Sequence, residues 1–344
     1  MKFIKTLSFL LFLLTNVMHV TAQYDIHYTQ FDMSPLGINP ANTGAFEGTF
    51  RLGGIYRNQW AGTLSKPFST PSVYVDAPIF ALRKNRDWIG VGVVVHTDKA
   101  GAGNLGQNGF MGSVAYHLGL DKKGKSVLTL GVQGGYVQRR VDITQGGGLT
   151  FEDEILNSGT TSVDRTKFNE NTNFYDFTTG IGLSSMIGKT SGMKLGVALA
   201  HLTRPKYGLG QSTNSDDAKL PMRTTVTALF DFGLNPKWVF FPGVIYQQIK
   251  SASEIGMQAV LGYKINPQQK TMLRMGLGYR VGDAAQAIVG LDYKGFRAGI
   301  AYDLNVSSLR EASKYHGGFE VAVSYIARIY KKPVVKPVIF CPRF

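Results

Sequence analysis

Three shortages in the sequence narrow the class of protein. The 344-residue chain has a single cysteine, Cys341, which excludes an internal disulfide framework. No segment after the first residues reaches roughly 18 uninterrupted apolar residues, so a transmembrane helix is not expected. Acidic residues are also few: 23 Asp and Glu against 37 Lys and Arg give a formal net charge of +14. This imbalance favours acidic partners or the phosphates of outer-membrane lipid.

The first residues predict export from the cytoplasm. Lys2 and Lys5 give a basic start, Leu7 to Leu14 an apolar core, and Val20-Thr21-Ala22 a small-residue cleavage site. We therefore expect a signal peptide over residues 1–22. The mature chain is then either a soluble exported protein or an outer-membrane β-barrel.

Alternation of apolar and polar residues is the main pattern that the sequence contains. Between Phe296 and Asn305 every second residue is apolar, and similar stretches recur almost to the C-terminus. Period-two alternation predicts a strand with one apolar and one polar face. About fourteen such stretches, from Thr49–Arg57 to Phe319–Tyr330, predict an all-β fold, a transmembrane antiparallel barrel over residues 49–330. The shortest predicted strand is Ser72–Ala77.

The predicted connections alternate in length, as they do in outer-membrane barrels. One set consists of short turns rich in Gly, Asn, Pro and Lys, which we assign to the periplasm. The other set contains the long connections Asn58–Pro71, Arg139–Asn173, Thr203–Met222 and Ser307–Gly318. Lysine and arginine are concentrated on the short-turn side. They either keep the turns solvated or bind an acidic partner.

Two segments lie outside the barrel pattern. Residues 23–48 are polar and rich in turn residues, and residues 331–344 contain three prolines, so neither reads as a central strand. We expect an N-terminal periplasmic or plug segment and a C-terminal periplasmic tail. Each segment either fills the lumen, reaches a partner or is disordered.

The same two segments contain spaced motifs. The N-terminal block has Gln30-Phe31, Pro35, Asn39-Pro40-Ala41, Gly44, Arg51-Leu52-Gly53, Tyr56-Arg57-Asn58-Gln59-Trp60, Pro67-Phe68, and Ser72 to Asp76 with Pro78. The chain ends Cys341-Pro342-Arg343-Phe344. In these motifs it resembles the PorP/SprF family of outer-membrane proteins of the type IX secretion system.

The resemblance implies an outer-membrane component of type IX secretion or of the gliding machinery. Such proteins bind, export or anchor secreted surface proteins such as adhesins, and some are linked to the periplasmic lipoprotein ring of the machine. The motif residues are then candidates for partner contacts. They are Gln30, Phe31, Asn39, Pro40, Arg57, Gln59, Trp60, Asp76, Cys341, Pro342, Arg343 and Phe344. For Arg57 and Trp60 the alternative is an interfacial arginine beside a girdle tryptophan.

Three arginines are expected to face the lumen: Arg274, Arg280 and Arg297. As a basic ladder they would select anionic solutes, as in a porin for small solutes, which is the main alternative function. Otherwise they balance carboxylates on nearby strands, namely Glu254, Asp292, Asp303 and Glu320.

Catalytic and cofactor chemistry is not expected. Ser113 and His117 share one strand face but lie roughly 13 Å apart, beyond hydrogen-bond reach. The histidines lack metal-ligand spacing, and no phosphate-binding turn leads into a helix. The aromatic residues fall on predicted lipid faces, which argues against nucleic-acid binding. We therefore expect neither an enzyme nor a bound cofactor or metal.

Overall fold

Fourteen antiparallel strands close into one barrel in the computed structural model, in which each strand pairs with its sequence neighbours and β1 with β14. The structure describes residues 25–64, 66–82, 87–101, 105–121, 125–143, 151–156, 161–210, 219–266 and 271–329. The strands are β1 Phe50–Gln59, β2 Phe68–Leu82, β3 Asp87–Ala100, β4 Leu105–Gly119, β5 Ser126–Arg140, β6 Asn171–Ile187, β7 Ser191–Ala200, β8 Arg223–Gly233, β9 Trp238–Ile249, β10 Ala252–Asn266, β11 Thr271–Arg280, β12 Ala284–Tyr293, β13 Phe296–Asn305 and β14 His316–Ala327. The predicted fourteen-stranded barrel is confirmed. Among the described helices, none is long and apolar enough to cross a membrane.

The period-two alternation separates a lipid face from a lumen face. On β13, Phe296, Ile300 and Leu304 are 51%, 52% and 49% exposed, whereas Ala301 and Asp303 are each 1% exposed. An apolar residue that remains exposed on a barrel wall is placed to contact lipid. Polar residues on the inner face are buried by what fills the lumen.

Strand β2 is much longer than the predicted Ser72–Ala77, since it contains Pro71 and Pro78. Pro71 lies opposite Tyr56 of β1, and the register between β2 and β3 shifts just after Pro78. A bulge tolerates proline because the ladder hydrogen bond is already interrupted there. The connection to β1 therefore shortens from the predicted Asn58–Pro71 to residues 60–67.

The two ends of the barrel differ in their connections. At one end the longest is the six-residue link over residues 120–125, and this end is periplasmic because barrels keep short turns there. At the other end, residues 141–170 and 201–222 form long loops, and the first includes the helix Glu152–Leu156 and the 3₁₀ turn Val163–Lys167. Three connections at this outer end are also short, namely residues 101–104, 250–251 and 281–283. The long connections therefore all lie at this end, as predicted, but not every connection there is long.

The N-terminal segment fills the lumen. Residues 25–48, called the plug segment below, contain the 3₁₀ turn Phe31–Met33, the helix Pro35–Ile38 and the 3₁₀ turn Pro40–Asn42. Asp25 lies beside His201 at the outer end, whereas Gly44 contacts Asp76 on the periplasmic half of β2. A purely periplasmic location is therefore wrong for this segment, which traverses the barrel. The expected signal peptide and the C-terminal tail lie outside the described residues.

Replacing Ile300 by arginine is expected to destabilise the barrel. Ile300 lies halfway along β13 on the lipid face, where a charged side chain costs about 2–4 kcal/mol at the bilayer midplane. The measurement is the urea midpoint of unfolding in phospholipid vesicles. Leu234→Arg is the control, because Leu234 is 60% exposed but lies in a periplasmic turn. Equal midpoints for the two variants would contradict the assigned lipid face.

Candidate functional site: a lumen closed by the plug segment

Glycines on the inner wall make room for the plug segment. A Cβ atom at Gly131 of β5 would overlap the backbone of Pro40 and Ala41, and one at Gly180 of β6 would overlap the side chain of Asn39. Further glycines with this relation are Gly90, which faces the Thr43 carbonyl, and Gly299, which faces the Gln30 amide. At Gly90 and Gly131 the missing side chain allows two backbones to approach closely, and at Gly180 and Gly299 it makes room for a side chain of the plug segment.

Asn39 fixes the segment to the wall. Its side-chain oxygen accepts a hydrogen bond from the Ala41 N–H at 2.8 Å and so begins the 3₁₀ turn Pro40–Asn42. Its amide nitrogen donates to the carbonyls of Ile181 on β6 and Val197 on β7, at 3.1 and 3.2 Å. The Asn39-Pro40 motif therefore contacts the barrel itself.

Four charged side chains meet between the segment and the wall. Arg57 donates to Asp303 at 2.8 Å and lies 3.4 Å from Glu320, and Arg280 donates to the same Asp303 oxygen at 2.5 Å. All four are at most 3% exposed. Thr29 of the plug segment joins them, since it accepts from Arg57 and donates to Asp303. The interfacial interpretation of Arg57 is wrong, because its guanidinium is fully buried in the lumen.

Gln30 and Phe31 lie in the interior as well. Glu320 accepts hydrogen bonds from the backbone N–H groups of Thr29 and Gln30, at 2.8 and 2.7 Å. Phe31 is 4% exposed in the first 3₁₀ turn. This motif holds the segment in place and leaves little surface for an external partner.

A second anchor lies near the periplasmic end. Asp76 accepts two hydrogen bonds from Arg51, at 2.7 and 2.9 Å, and one from the Gly44 N–H at 2.7 Å. Arg51 also donates to the carbonyl of Asn42. The motif residue Asp76 thus connects β1, β2 and the exit of the plug segment.

The lumen arginines are charge-balanced, as in the second of the two alternatives. Arg274 pairs with Asp292 at 2.9 Å, and Arg297 pairs with Asp32 of the plug segment at 2.9 Å. Arg280 belongs to the four-charge cluster described above. An unpaired basic ladder that would attract anions is therefore not formed by these three side chains.

His201 holds the outer end of the plug segment. Its imidazole lies 2.8 Å from Asp176 and 3.0 Å from Asp25, and Arg223 pairs with Asp25 at 2.7 Å. Burial alone would lower the pKa of His201, but hydrogen bonds to Asp176 and Asp25 outweigh it and raise the pKa to about 9. The raised pKa favours the imidazolium form of His201 at neutral pH, in which Arg223 and His201 together balance Asp25 and Asp176.

The remaining sequence candidates take other positions. Gln59 is 7% exposed, and Trp60, whose φ is 61°, packs on Phe68 with ring centroids 5.0 Å apart. Ser113 and His117 both bind Thr43 of the plug segment, at 2.9 and 2.8 Å. Cys341, Pro342, Arg343 and Phe344 lie outside the described residues.

A cavity of about 320 Å³ remains above the plug segment, and we call it the outer vestibule. Asp25, Ile26 and His27 line its floor, and the outer ends of β1 to β5 line its side. Tyr207 and Leu220 of the loop between β7 and β8 complete it.

These features define an outer-membrane β-barrel whose lumen is occupied by its own N-terminal segment. Residues 20–325 match the family described as type IX secretion system membrane protein PorP/SprF, and the chain belongs to this family. It is therefore an outer-membrane component of type IX secretion.

The chain is similar to several solved structures. The toluene transporter TodX of P. putida has a TM-score of 0.50 and 12% identity over 86% of this chain and 93% of that chain. The Ralstonia pickettii toluene transporter TbuX has a TM-score of 0.49 and 12% identity over 87% and 94%. A Pseudomonas aeruginosa FadL homologue has a TM-score of 0.46 and 10% identity over 84% and 92%. No curated protein matches the sequence.

A bulky residue at Gly131 is expected to displace the plug segment. Gly131→Val would place side-chain atoms against the backbone of Pro40 and Ala41, which no rotamer change can relieve. In planar bilayers we expect little conductance from the wild type and clear conductance from this variant. Gly112→Val on the lipid face is the control, because its Cβ would meet only the Gly134 carbonyl at 3.9 Å. Identical conductance of both variants would refute a sealing role.

Stability is expected to fall at alkaline pH through His201. A pKa raised from 6.5 to about 9 stabilises the fold fully below pH 6.5, and this contribution is lost as the pH rises through about 9. The urea midpoints of the wild type and His201→Gln, measured at about pH 6 and about pH 10, test this. The wild type should lose more stability than the variant. An equal loss would mean that the imidazolium does not support the fold.

Proposed function

We propose that this protein binds exported surface proteins, such as adhesins, and anchors them at the type IX machinery. It would act by recognition and not by catalysis. The occupied lumen is the observation that carries the proposal. A barrel whose interior holds an anchored chain segment leaves little room for passive diffusion of solutes, so its two ends are the surfaces that remain for a partner.

The outer end suits a client protein. The long connections over residues 141–170 and 201–222 belong to this end, and in their described parts an antiparallel bridge joins Phe168 to Gly210. In the first connection Glu154 pairs with Arg165 at 2.5 Å. Loops carried by a rigid scaffold are a common place for recognition.

The periplasmic end suits the secretion machine. Lys125, Lys189, Lys237 and Lys294 are exposed there, on four different turns. The positive field of such a group attracts an acidic protein surface, for example on the periplasmic lipoprotein ring, or the phosphates of outer-membrane lipid. The other predicted basic residues of this end, Arg83, Lys84, Arg86, Lys122, Lys123 and Lys270, lie outside the described residues.

Deletion of the gene is expected to remove client proteins from the cell surface. A proteomic comparison of surface and culture medium, with and without the gene, measures this, and complementation with the wild-type gene is the control. Loss of one or a few large surface proteins would identify a client-specific receptor, and loss of all cargo a core component. Unchanged secretion together with altered uptake of small solutes would refute the proposal in favour of a porin.

A further inference from the structure

The outer vestibule contains a row of polar side chains on three adjacent strands. Asp98 of β3 lies directly opposite Gln107 of β4, and Gln107 lies opposite Arg139 of β5. All three line the cavity. Since neighbouring strands are about 4.8 Å apart, the α-carbons of Asp98 and Arg139 are separated by about 10 Å.

Both charged members of the row are held in place but not neutralised. Asp98 accepts a hydrogen bond from the Thr70 hydroxyl at 2.6 Å. Arg139 donates to the Tyr207 carbonyl at 3.2 Å, and its guanidinium lies 4.7 Å from the centre of the Tyr207 ring. In the part of the chain that the structure describes, neither has an oppositely charged partner.

The four-charge cluster beside this row behaves differently. Arg57 also lines the vestibule, but Arg57, Arg280, Asp303 and Glu320 neutralise one another between the plug segment and the wall. Asp98 has a second carboxylate oxygen, and Arg139 has further N–H groups, that can bind a ligand in the vestibule. The row therefore offers an anionic and a cationic end to a ligand, with an amide between them.

We propose that the vestibule binds a short extended peptide segment with a basic side chain directed at Asp98 and a carboxylate directed at Arg139. The inference rests on the proposed function, because the exported client would supply this segment. Two side chains on the same face of an extended chain are about 6.5–7 Å apart. The α-carbons of Asp98 and Arg139 are farther apart than this, and the long side chain of Arg139 makes up the difference.

The shape of the cavity favours a segment of a protein over a free solute. A volume of about 320 Å³ is at the lower limit of ligand pockets and suits two or three side chains. Asp25, Ile26 and His27 of the plug segment form its floor, so the cavity is a recess at the outer end that a side chain can enter from outside. Phe68, Leu105 and Leu220 add apolar contacts of the kind that peptide side chains use.

Calorimetric titration of the full-length protein in detergent micelles tests the inference. The probe is an acetylated and amidated pentapeptide of glycine with lysine and aspartate two residues apart, and its match has glutamine and asparagine at those places. We expect the charged peptide to bind, and Asp98→Asn or Arg139→Gln to weaken it at least about tenfold. Arg140→Gln is the control, because Arg140 is the next residue along β5 but faces outward.

Three results of the titration would overturn the inference: no binding to the wild type, binding unaffected by Asp98→Asn and Arg139→Gln, or equal binding of free lysine and aspartate, which would indicate a solute site. Heat-modifiable gel mobility shows that each variant is folded. In cells, loss of client display on gene deletion but not in the double variant would leave the proposed function intact and refute the vestibule site. Unchanged display on deletion would refute the proposed function, and the titration would still decide the peptide site.

Discussion

The closing seam of the barrel depends on the ion pairs around Arg57. Arg57 of β1 and Glu320 of β14 lie directly opposite each other in the register of the two strands that complete the ring. Asp303 of β13 and Arg280 of β11 extend the same network, and Thr29 connects it to the plug segment. Removal of one member would leave a buried uncompensated charge, which costs about 3–5 kcal/mol. Wall, seam and plug segment are thus held by one set of interactions.

Much of the fold is predictable because strand alternation is a local property. Hydrophobic and polar faces follow from period two, and all fourteen strands were recognisable from it. Strand β2 was underestimated because Pro71 and Pro78 normally end a strand, whereas pairing with β1 and a bulge accommodate them here. Sequence alone gives no signal for such tertiary compensation.

The candidate site was predictable only in part. Alternation and family motifs identified Arg57 and Asn39 as special, but they could not show that their partners are the chain's own wall and plug segment. Thr29 and Thr43 were missed, because a threonine in a polar segment looks like any loop residue. The role of Gly131 and Gly180 depends on contacts between residues about ninety and 140 positions distant in sequence, which composition records only as a high glycine count.

The path of the plug segment constrains the order in which the barrel is assembled. Asp25 is held at the outer end, and the chain then runs down the lumen before β1 begins at the periplasmic end. A ring that closed first would have to be threaded by some twenty residues past the glycines that touch the plug segment, such as Gly131 and Gly180. Pairing of β1 with β14 is better completed around a segment that is already in place. Closure of the ring would then depend on a correctly filled interior, which makes it a checkpoint in biogenesis that is built into the fold.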